Sequence, residues 1–408
     1  MLLSLAEWLR DWGWKIPFAF TYFSSRMILA AATALLLTIA LGPRFIKKLY
    51  ELKIGQAIRG MEECPLLAEL HGKKKDTPTM GGVLILSSMA VSLFLWMDLT
   101  HIFTWILFFT TVVLGVLGGW DDYLKLRYKN SKGLKARKKM AFQVGFSSLI
   151  ALYLLYPPLT KAIAGEKLFR PPTAKVLSMQ PREGRRPLAT AQTLATDEYV
   201  TRLYLPFYKD PVLILDGALK ILCFFLIVFV ITGSSNAVNL TDGLDGLAAG
   251  CLVMVSLVLG LFAFLSNHIE LARYLNILYI EGSGEIAVYL LALAGAALGF
   301  LWYNGYPAQV FMGDTGSLAL GGILGVSSVL LCREAILAVA GAIFVAEALS
   351  VILQVVSYRY RNKKRVFLCA PLHHHFEYKG WPETKVVVRF WIISLLFAII
   401  AVSSLKLQ

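Results

Sequence analysis

Ten long apolar stretches run through the sequence, and they restrict the chain to one class of fold. A segment of about 18 or more mostly apolar residues can cross the hydrocarbon core of a bilayer as a helix. The stretches lie at residues 21–42, 82–98, 101–119, 140–157, 214–232, 246–265, 284–302, 316–332, 334–357 and 388–405. Only 16% of the residues are charged, against roughly 25% in an average soluble domain. We therefore predict an all-α integral membrane protein, with residues 1–408 forming a single polytopic domain of about ten transmembrane helices.

The basic residues are concentrated in alternate loops, which predicts the orientation of the bundle. Most of the 40 lysines and arginines lie in loops 43–80, 120–139 and 357–389. Because cytoplasmic loops are enriched in Lys and Arg, these loops are predicted to lie inside and both termini outside. Basic cytoplasmic loops also predict an anionic partner, either membrane lipid headgroups or a phosphorylated substrate. No known nucleic-acid-binding motif is present, so we expect no nucleic acid partner.

Two segments are expected to lie outside the helical bundle. Residues 1–20 carry Trp8, Trp12 and Trp14, a pattern that suits a helix lying in the membrane interface. Residues 158–213 are rich in Pro, Arg and Thr and lack a sustained apolar period. There we expect an irregular or partly ordered extracytoplasmic loop insertion without a chemical role. The five cysteines form no C-x-x-C pair and are expected to be unpaired thiols.

Five cytoplasmic loops follow from this topology, and each has an unusual polar sequence. They read HGKKKDTPTMGG at 71–82, DDYLKLRYKNSKGLKARKK at 121–139, NLTDGLDG at 239–246, YNGYPAQVFMGDTGS at 303–317 and APLHHHFEYKGW at 370–381. All five come from distant parts of the sequence and lie at one end of one bundle. We therefore expect a single active site on the cytoplasmic face.

The acidic residues of these loops predict a metal site. Asp121 and Asp122 are adjacent at the end of an apolar stretch, Asp242 and Asp245 are three residues apart, and Asp314 is the third element. Carboxylates placed close together repel one another unless a cation or lysines offset their charge. Oxygen ligands favour Mg²⁺ or Mn²⁺. Any one of these acids alone is equally well explained as a helix cap at the interface, whereas the three groups together favour a site.

Three other polar features are candidates for function. His373, His374 and His375 form a triplet in a chain with six histidines, and imidazoles in a basic loop can donate hydrogen bonds to phosphates or transfer protons near pH 7. Lys125 follows the acid pair closely enough to contact a phosphate. The helix at 334–357 carries a polar stripe of Glu347, Ser350 and Gln354, which is typical either of interior packing or of a functional groove.

The loop motifs also carry a family resemblance. TPTMGG, GGWDDYLK, NLTDGLDGLA, FMGDTGSLALGG and APLHHHFEYKGWPETK closely resemble the motifs of the phospho-N-acetylmuramoyl-pentapeptide transferases, over about residues 54–405. The resemblance implies a ten-helix enzyme of the bacterial cytoplasmic membrane. It also implies Mg²⁺-dependent transfer of phospho-MurNAc-pentapeptide from UDP-MurNAc-pentapeptide to undecaprenyl phosphate, which gives lipid I and UMP in peptidoglycan synthesis. The alternative within the superfamily is a UDP-GlcNAc-1-phosphate or related sugar-1-phosphate polyprenyl transferase.

The resemblance assigns roles residue by residue. Asp121 and Asp122 would position or deprotonate the lipid phosphate acceptor, Asp314 would bind Mg²⁺ and act in catalysis, and His373 would act in catalysis. The substrate-binding residues that it implies are Lys74, Lys125, Lys129, Asn239, Asp242, Asp245, Asn304, Phe311, His374 and His375. Of these, it assigns Asn239, Asp242 and Asp245 to the loop of the nucleotide and diphosphate pocket, and Asn304 and Phe311 to the uridine side of that pocket. The groove for the prenyl tail would run along the kinked helix that contains Glu347.

Some features depart from the family pattern or leave alternatives open. Cys64 and Asp76 replace glycines of the family motif, and His71 stands six residues after Pro65, which affects the roles of His71 and Lys74.

A covalent aspartyl intermediate is an alternative to direct attack, and a homodimer is compatible with the sequence. A secondary transporter would carry its charged residues near the bilayer midplane, where only Glu347 lies. A lipid-binding scaffold would need lysines but not aspartates.

Overall fold

The computed structural model describes residues 2–15, 17, 20–52, 77–128, 133–163, 172–180 and 188–405, and these are mostly helical. The helices are α1 (Leu2–Asp11), α2 (Phe23–Glu51), α3 (Gly82–Trp96), α4 (Ile102–Arg127), α5 (Ala136–Leu155), α6 (Pro157–Ile163), α7 (Thr196–Tyr199), α8 (Lys220–Thr241), α9 (Leu247–Ser266), α10 (Ile269–Tyr274), α11 (Ser283–Asn304), α12 (Gly313–Leu330), α13 (Glu334–Ala340), α14 (Ala342–Tyr360), α15 (Leu372–Tyr378) and α16 (Glu383–Ser403). The strands are β1 (Ala174–Gln180), β2 (Leu188–Leu194), β3 (Arg202–Leu203), β4 (Leu213–Ile214) and β5 (Tyr279–Ile280).

Every apolar stretch of the sequence contains a helix, which confirms the prediction of a mostly helical membrane protein. Among the described residues, seven helices are long and apolar enough to cross a membrane. Of the remaining three stretches, α3 is shorter, α5 begins with three basic residues, and α12 contains Asp314. The stretch at 334–357 is divided at Gly341 into α13 and α14. Ten spans and two outside termini remain a prediction.

The buried centre of the bundle consists of α11 and α12. In α12, all residues from Thr315 to Leu330 are buried, and several are glycine or serine, which allows neighbouring helix backbones to approach closely. Ser235 of α8 donates a hydrogen bond to the carbonyl oxygen of Leu318 (2.9 Å), and Ser234 donates to that of Gly321 (2.8 Å). The two helices are therefore antiparallel in this register, which places the end of α8 beside the start of α12.

The segment 158–213 contains β-strands. Strands β1 and β2 form an antiparallel hairpin in which Ala174 is paired with Leu194, and β1 also pairs with β5 in the order β2-β1-β5. Of the two expected forms, irregular or partly ordered, the described residues show the ordered one. The sequence did not predict the strands themselves, because each is a short run that cannot be distinguished from a loop without its partner strand. Because β5 directly precedes α11, the sheet lies at the end of the bundle opposite to Asn304.

A buried ion pair joins the helices at that opposite end. Arg26 Nη1 and Nη2 donate to Glu285 Oε1 (2.8 Å) and Oε2 (2.7 Å), and Arg26 Nε donates to the carbonyl oxygen of Trp96 (2.7 Å). The backbone N–H of Asp98 donates to Glu285 Oε2 (3.0 Å). Each nitrogen of the guanidinium and each oxygen of the carboxylate thus has a hydrogen-bond partner, which is the condition under which a buried ion pair is tolerated.

Cys223, Cys251 and Cys332 are buried free thiols.

Candidate active site

Asp122 connects α4 to the first turn of α12. Its Oδ1 accepts a hydrogen bond from the backbone N–H of Asp314 (3.1 Å). Its Oδ2 accepts from the backbone N–H (2.9 Å) and the hydroxyl (2.8 Å) of Thr315. The first N–H groups of a helix have no partner within the helix, and the helix dipole favours a negative charge there. Asp122 therefore supplies a cap to α12 from a neighbouring helix, and it fixes the backbone that carries Asp314.

Asp121 faces the loop that follows α4. Its Oδ1 accepts a hydrogen bond from the backbone N–H of Leu134, and its Oδ2 lies 2.8 Å from the Lys125 Nζ and 3.5 Å from the Lys139 Nζ. The side chain is 3% exposed, so these groups provide most of its polar surroundings. Asp121 therefore contacts both lysines and also the backbone at Leu134, just before α5.

Asp314 completes the acidic cluster. Its Oδ1 accepts a hydrogen bond from the side-chain amide of Asn239 (2.8 Å). Its Oδ2 lies 3.0 Å from the Lys125 Nζ and 2.5 Å from the Lys139 Nζ. Asn239 also donates to the Ser317 Oγ (2.8 Å). At 14% exposure, the Asp314 side chain is more accessible than those of Asp121 and Asp122. It is therefore the carboxylate of the cluster that a ligand reaches most readily.

The cluster has the donor set of a site for a divalent cation. One carboxylate oxygen from each of Asp121, Asp122 and Asp314 lies within 4.8 Å of the others. Hard oxygen donors of this kind are the ligands that Mg²⁺ prefers. With three carboxylates and two ammonium groups ionised, the cluster carries one net negative charge, which also favours a cation. The predicted metal ligand Asp314 thus lies with both members of the acid pair.

The motif TPTMGG packs against the residues that precede Asp314. Phe311 donates its backbone N–H to the carbonyl oxygen of Pro78 (2.8 Å), and the backbone N–H groups of Gly81 and Gly82 donate to Phe311 (2.7 Å) and Met312 (2.8 Å). These three bonds place the start of α3 beside the start of α12. Phe311, which is predicted to lie on the uridine side of the pocket, is partly exposed. It stands three residues before Asp314 in the chain.

The NLTDGLDG loop is held by Asn304 and by the segment that follows it. Asn304 Oδ1 accepts from the backbone N–H of Gly246 (3.0 Å), and its Nδ2 donates to the carbonyl oxygen of Val310 (2.9 Å). Asp245 Oδ2 accepts from the backbone N–H of Ala308 (3.0 Å). Asn304 and Asp245 are both buried. In this structure they hold the loop that follows α8 against the loop that precedes α12. Their assignment to substrate binding stays a prediction.

Asp242 lies at the end of α8 and has a perturbed acidity. Burial, together with the negative charges of Asp314 and Asp122, raises the pKa of Asp242 to about 7, while the backbone N–H of Gly313 acts in the opposite direction. In the unfolded chain an aspartate has a pKa near 3.9. The folded protein therefore binds this proton more tightly than the unfolded chain does.

This difference predicts a dependence of stability on pH. For an acid whose pKa is raised by folding, the free energy of unfolding decreases as the pH increases from about 4 to about 7. In EDTA, the melting temperature of the wild type should fall relative to that of Asp242→Asn between pH 5 and pH 8. Differential scanning fluorimetry in detergent at these pH values measures both proteins. A melting-temperature difference that stays constant over this range would contradict the assignment.

The three histidines have different surroundings. The ring of His373 is fully buried and lies between Glu347, whose Oε1 is 3.2 Å from Nδ1, and Gly243. His374 Nδ1 forms a hydrogen bond with Glu377 Oε2 (2.7 Å). His375 Nδ1 accepts from the backbone N–H of Leu368 (3.1 Å). His374 and His375 are partly exposed, so they are the members of the triplet that are accessible to a ligand, and the catalytic role of His373 stays a prediction.

Sequence reasoning missed three residues of the cluster. Lys139, Thr315 and Ser317 contact Asp314, Asp122 and Asn239. Lys139 is one of several lysines in its loop, and nothing in the local sequence distinguishes it from Lys138, which is exposed. Thr315 and Ser317 stand next to Asp314 in the FMGDTGS motif, and a search for polar residues within one helical turn of each acid would have found them. Lys74, Lys129, His71, Asp76 and Cys64 lie outside the described residues.

Comparisons with known proteins agree with these motifs. A family model described as glycosyl transferase family 4 matches residues 104–332, and the phospho-N-acetylmuramoyl-pentapeptide-transferase signature 1 matches residues 74–86. A phospho-N-acetylmuramoyl-pentapeptide-transferase of Protochlamydia amoebophila is 65% identical over 412 residues, with 100% of both chains covered. Transferases of the same name from Francisella tularensis subspecies mediasiatica and novicida are 43% identical over 410 residues, again with 100% of both chains covered.

Proposed function

The chain belongs to the phospho-N-acetylmuramoyl-pentapeptide transferase family, and from this membership we propose that it transfers phospho-MurNAc-pentapeptide from UDP-MurNAc-pentapeptide to undecaprenyl phosphate. The products would be lipid I and UMP, in the first membrane step of peptidoglycan synthesis. The observation that carries this proposal is the junction of the loops after α4, α8 and α11 around Asp121, Asp122 and Asp314, beside the motif TPTMGG.

We also propose ten membrane spans, with both termini outside and the acidic cluster at the cytoplasmic face of the bacterial inner membrane. Each of the ten apolar stretches contains a helix, and the described part of the basic loop 120–139, with Lys125 and Lys139, lies at the cluster. A site at this level of the membrane allows a water-soluble nucleotide and a lipid-held phosphate to meet without either crossing the bilayer. This arrangement suits phosphoryl transfer, in which catalysis depends on positioning and on neutralising charge.

Mg²⁺ is the cofactor that fits the oxygen donors of Asp121, Asp122 and Asp314. When bound, it would supply charge neutralisation for a diphosphate and its leaving group. The lysines of the cluster act in the same direction. Lys125 and Lys139 both contact Asp314 Oδ2, and their ammonium groups can turn toward phosphate oxygens, because a lysine has three donors on a flexible stem.

The two adjacent aspartates have different roles in this proposal. Both oxygens of Asp122 accept hydrogen bonds from α12, so Asp122 holds Asp314 in place. Asp121 accepts a backbone hydrogen bond from Leu134 on Oδ1, and its side chain lies beside Lys125, Lys139 and Asp314. Because the oxygens of Asp122 are engaged by the first turn of α12, Asp121 is the member of the pair to which we assign positioning of the acceptor phosphate or removal of its proton. Asn239 orients Asp314 through its side-chain amide.

The test is product formation by the purified protein in detergent. The assay contains UDP-MurNAc-pentapeptide, undecaprenyl phosphate and Mg²⁺, and it detects both UMP and lipid I. We expect both products, their loss in EDTA, and no turnover when UDP-GlcNAc replaces the nucleotide substrate. Turnover of UDP-GlcNAc instead would support the sugar-1-phosphate transferase alternative. A folded protein that turns over neither nucleotide would contradict the proposed function.

Lys139 is expected to contribute to this activity although sequence reasoning did not select it. Lys139→Gln removes a charge that contacts two of the three acids, and we expect the turnover number to fall by about tenfold or more, as for other charge-assisted contacts. Lys138→Gln is the matched control, since Lys138 is exposed one position earlier in the same helix. Initial rates of UMP release measure both variants, and equal rates would show that Lys139 has no part in the reaction.

A further inference from the structure

Glu347 is a fully buried carboxylate in a helix with a lipid-facing side. Its helix α14 exposes Val345 and Leu349 on one face, whereas Glu347 is 0% exposed. Ionisable side chains in membrane helices are costly, face the bundle interior and usually have a functional partner. Glu347, the first residue of the polar stripe, therefore faces the interior of the bundle. The residue that it contacts indicates its role.

That partner is His373, at the start of α15. Glu347 Oε1 accepts a hydrogen bond from the backbone N–H of His373 (3.1 Å) and lies 3.2 Å from its Nδ1. His373 is the second residue of α15, where a backbone N–H has no partner within the helix. Pro371, at the N-cap position, provides no side-chain hydrogen bond to the helix. One carboxylate oxygen thus holds the backbone at the start of α15, which carries the imidazole ring, and lies against Nδ1 of that ring without forming a hydrogen bond to it.

The opposite edge of the ring contacts the NLTDGLDG loop. A Cβ atom added to Gly243 would lie 2.2 Å from Nε2 and 2.8 Å from Cε1 of His373. The ring therefore packs directly on the backbone between Asp242 and Asp245. Among the described residues, neither Nδ1 nor Nε2 of the ring has a hydrogen-bond partner, so the contact of the ring with this loop is one of shape. A change in the ring's position would move the loop.

We propose that Glu347 is a positioning residue that acts through His373 to set the affinity of the site for its nucleotide substrate. This inference rests on the proposed function, in which the loop at 239–246 belongs to the nucleotide and diphosphate pocket. The carboxylate holds the backbone of His373 and lies against its ring, the ring packs on Gly243, and Gly243 lies between the two aspartates of the loop. Glu347 does not line the lipid-facing surface of α14, which is formed by Val345, Leu349, Ile352 and neighbouring residues.

The alternative is that Glu347 helps to bind the prenyl tail. The two possibilities are distinguished by measuring KM separately for the nucleotide substrate and for the lipid substrate. Glu347→Met removes the acceptor at similar volume, and we expect KM for UDP-MurNAc-pentapeptide to increase about tenfold, the effect of losing one strong hydrogen bond. KM for undecaprenyl phosphate should not change. Glu347→Gln keeps an oxygen acceptor and should restore most of the nucleotide affinity.

Ser350→Ala is the matched control. Ser350 is buried one turn further along α14 and donates only to the carbonyl oxygen of Glu347 (2.7 Å), so both KM values should stay at the wild-type level. An increase in KM for the lipid alone, or equal increases in both KM values, would overturn the proposal. If the wild type forms no lipid I, the proposed function fails, and the contact with His373 is still tested by the second measurement.

The second measurement is ¹⁵N NMR of protein labelled at histidine. The chain has six histidines, and the His373 signals are assigned by their loss in His373→Gln. We expect Glu347→Met to shift both ring nitrogens of His373 and Glu347→Gln to shift them less, with the signals of His101 and His268 unchanged. Unchanged His373 signals in Glu347→Met would show that the carboxylate does not orient the ring.

Discussion

Asp314→Asn is expected to lower the turnover number by about a thousandfold or more, which is the scale of losing a principal electrostatic group from an active site. Asp314 accepts a hydrogen bond from the Asn239 amide on Oδ1, and its Oδ2 contacts the ammonium groups of Lys125 and Lys139. An asparagine keeps the size of the side chain but removes its charge. If its amide nitrogen occupies the position of Oδ2, it also places a donor against two ammonium groups.

The measurement is the initial rate of UMP release over a titration of Mg²⁺. We expect Asp314→Asn to remain inactive at every Mg²⁺ concentration, because a weaker ligand set would lose both metal and alignment. Asp210→Asn is the control, since Asp210 is exposed and lies in the segment at the opposite end of the bundle. If the variant keeps more than a tenth of the wild-type rate, Asp314 is not a principal catalytic group.

Asp122→Asn provides a contrast, because its carboxylate has a structural role as well. Its two oxygens accept three hydrogen bonds from Asp314 and Thr315, and an amide can accept on one side only. We therefore expect Asp122→Asn to lower the melting temperature together with the rate, whereas Asp314→Asn lowers the rate with little change in melting temperature. Equal melting temperatures for the two variants would show that Asp122 does not cap α12.

The sequence was sufficient to identify the acidic residues, because acids are rare in this chain and stand at the ends of apolar stretches. It could not assign their separate roles. Asp122 and Thr315 are far apart in sequence, and only the packing of α4 on α12 shows that one caps the helix of the other. The motif assigns Asn239 to the nucleotide pocket, and that assignment stays a prediction. The antiparallel register of α8 and α12 also places Asn239 against Asp314, a contact that no local pattern encodes.

Other features depended on contacts that periodicity does not record. Apolar runs located the helices, since a run of this length has few alternatives in a membrane. The break at Gly341 and the hairpin of β1 and β2 were harder to predict, because a strand is defined by its partner and a helix break by what packs beside it. Lys139 is equivalent to Lys138 in the sequence, and only the direction of its side chain from α5 selects it.

The close approach of α4 and α12 is the structural condition for the whole acidic cluster, and Gly118 makes it possible. A Cβ atom at Gly118 would lie 2.1 Å from the carbonyl oxygen of Asp314, 2.4 Å from its carbonyl carbon and 2.7 Å from the Thr315 Cα. All three are backbone atoms, so a rotation of a side chain cannot relieve the contact. The helices would have to separate where α4 carries Asp121 and Asp122.

Gly118→Ala is therefore expected to lower the turnover number by about a hundredfold, the cost of a displacement of about 1 Å between reacting groups, and to lower the melting temperature. Gly119→Ala is the matched control, because a Cβ atom at Gly119 would lie 3.6 Å from the Thr315 Oγ1, an ordinary contact. Both glycines stand in one helix, so helix propensity changes equally and cannot explain a difference between them. Wild-type activity in Gly118→Ala would mean that α4 and α12 can separate without cost, and that the acids do not depend on this contact for their alignment.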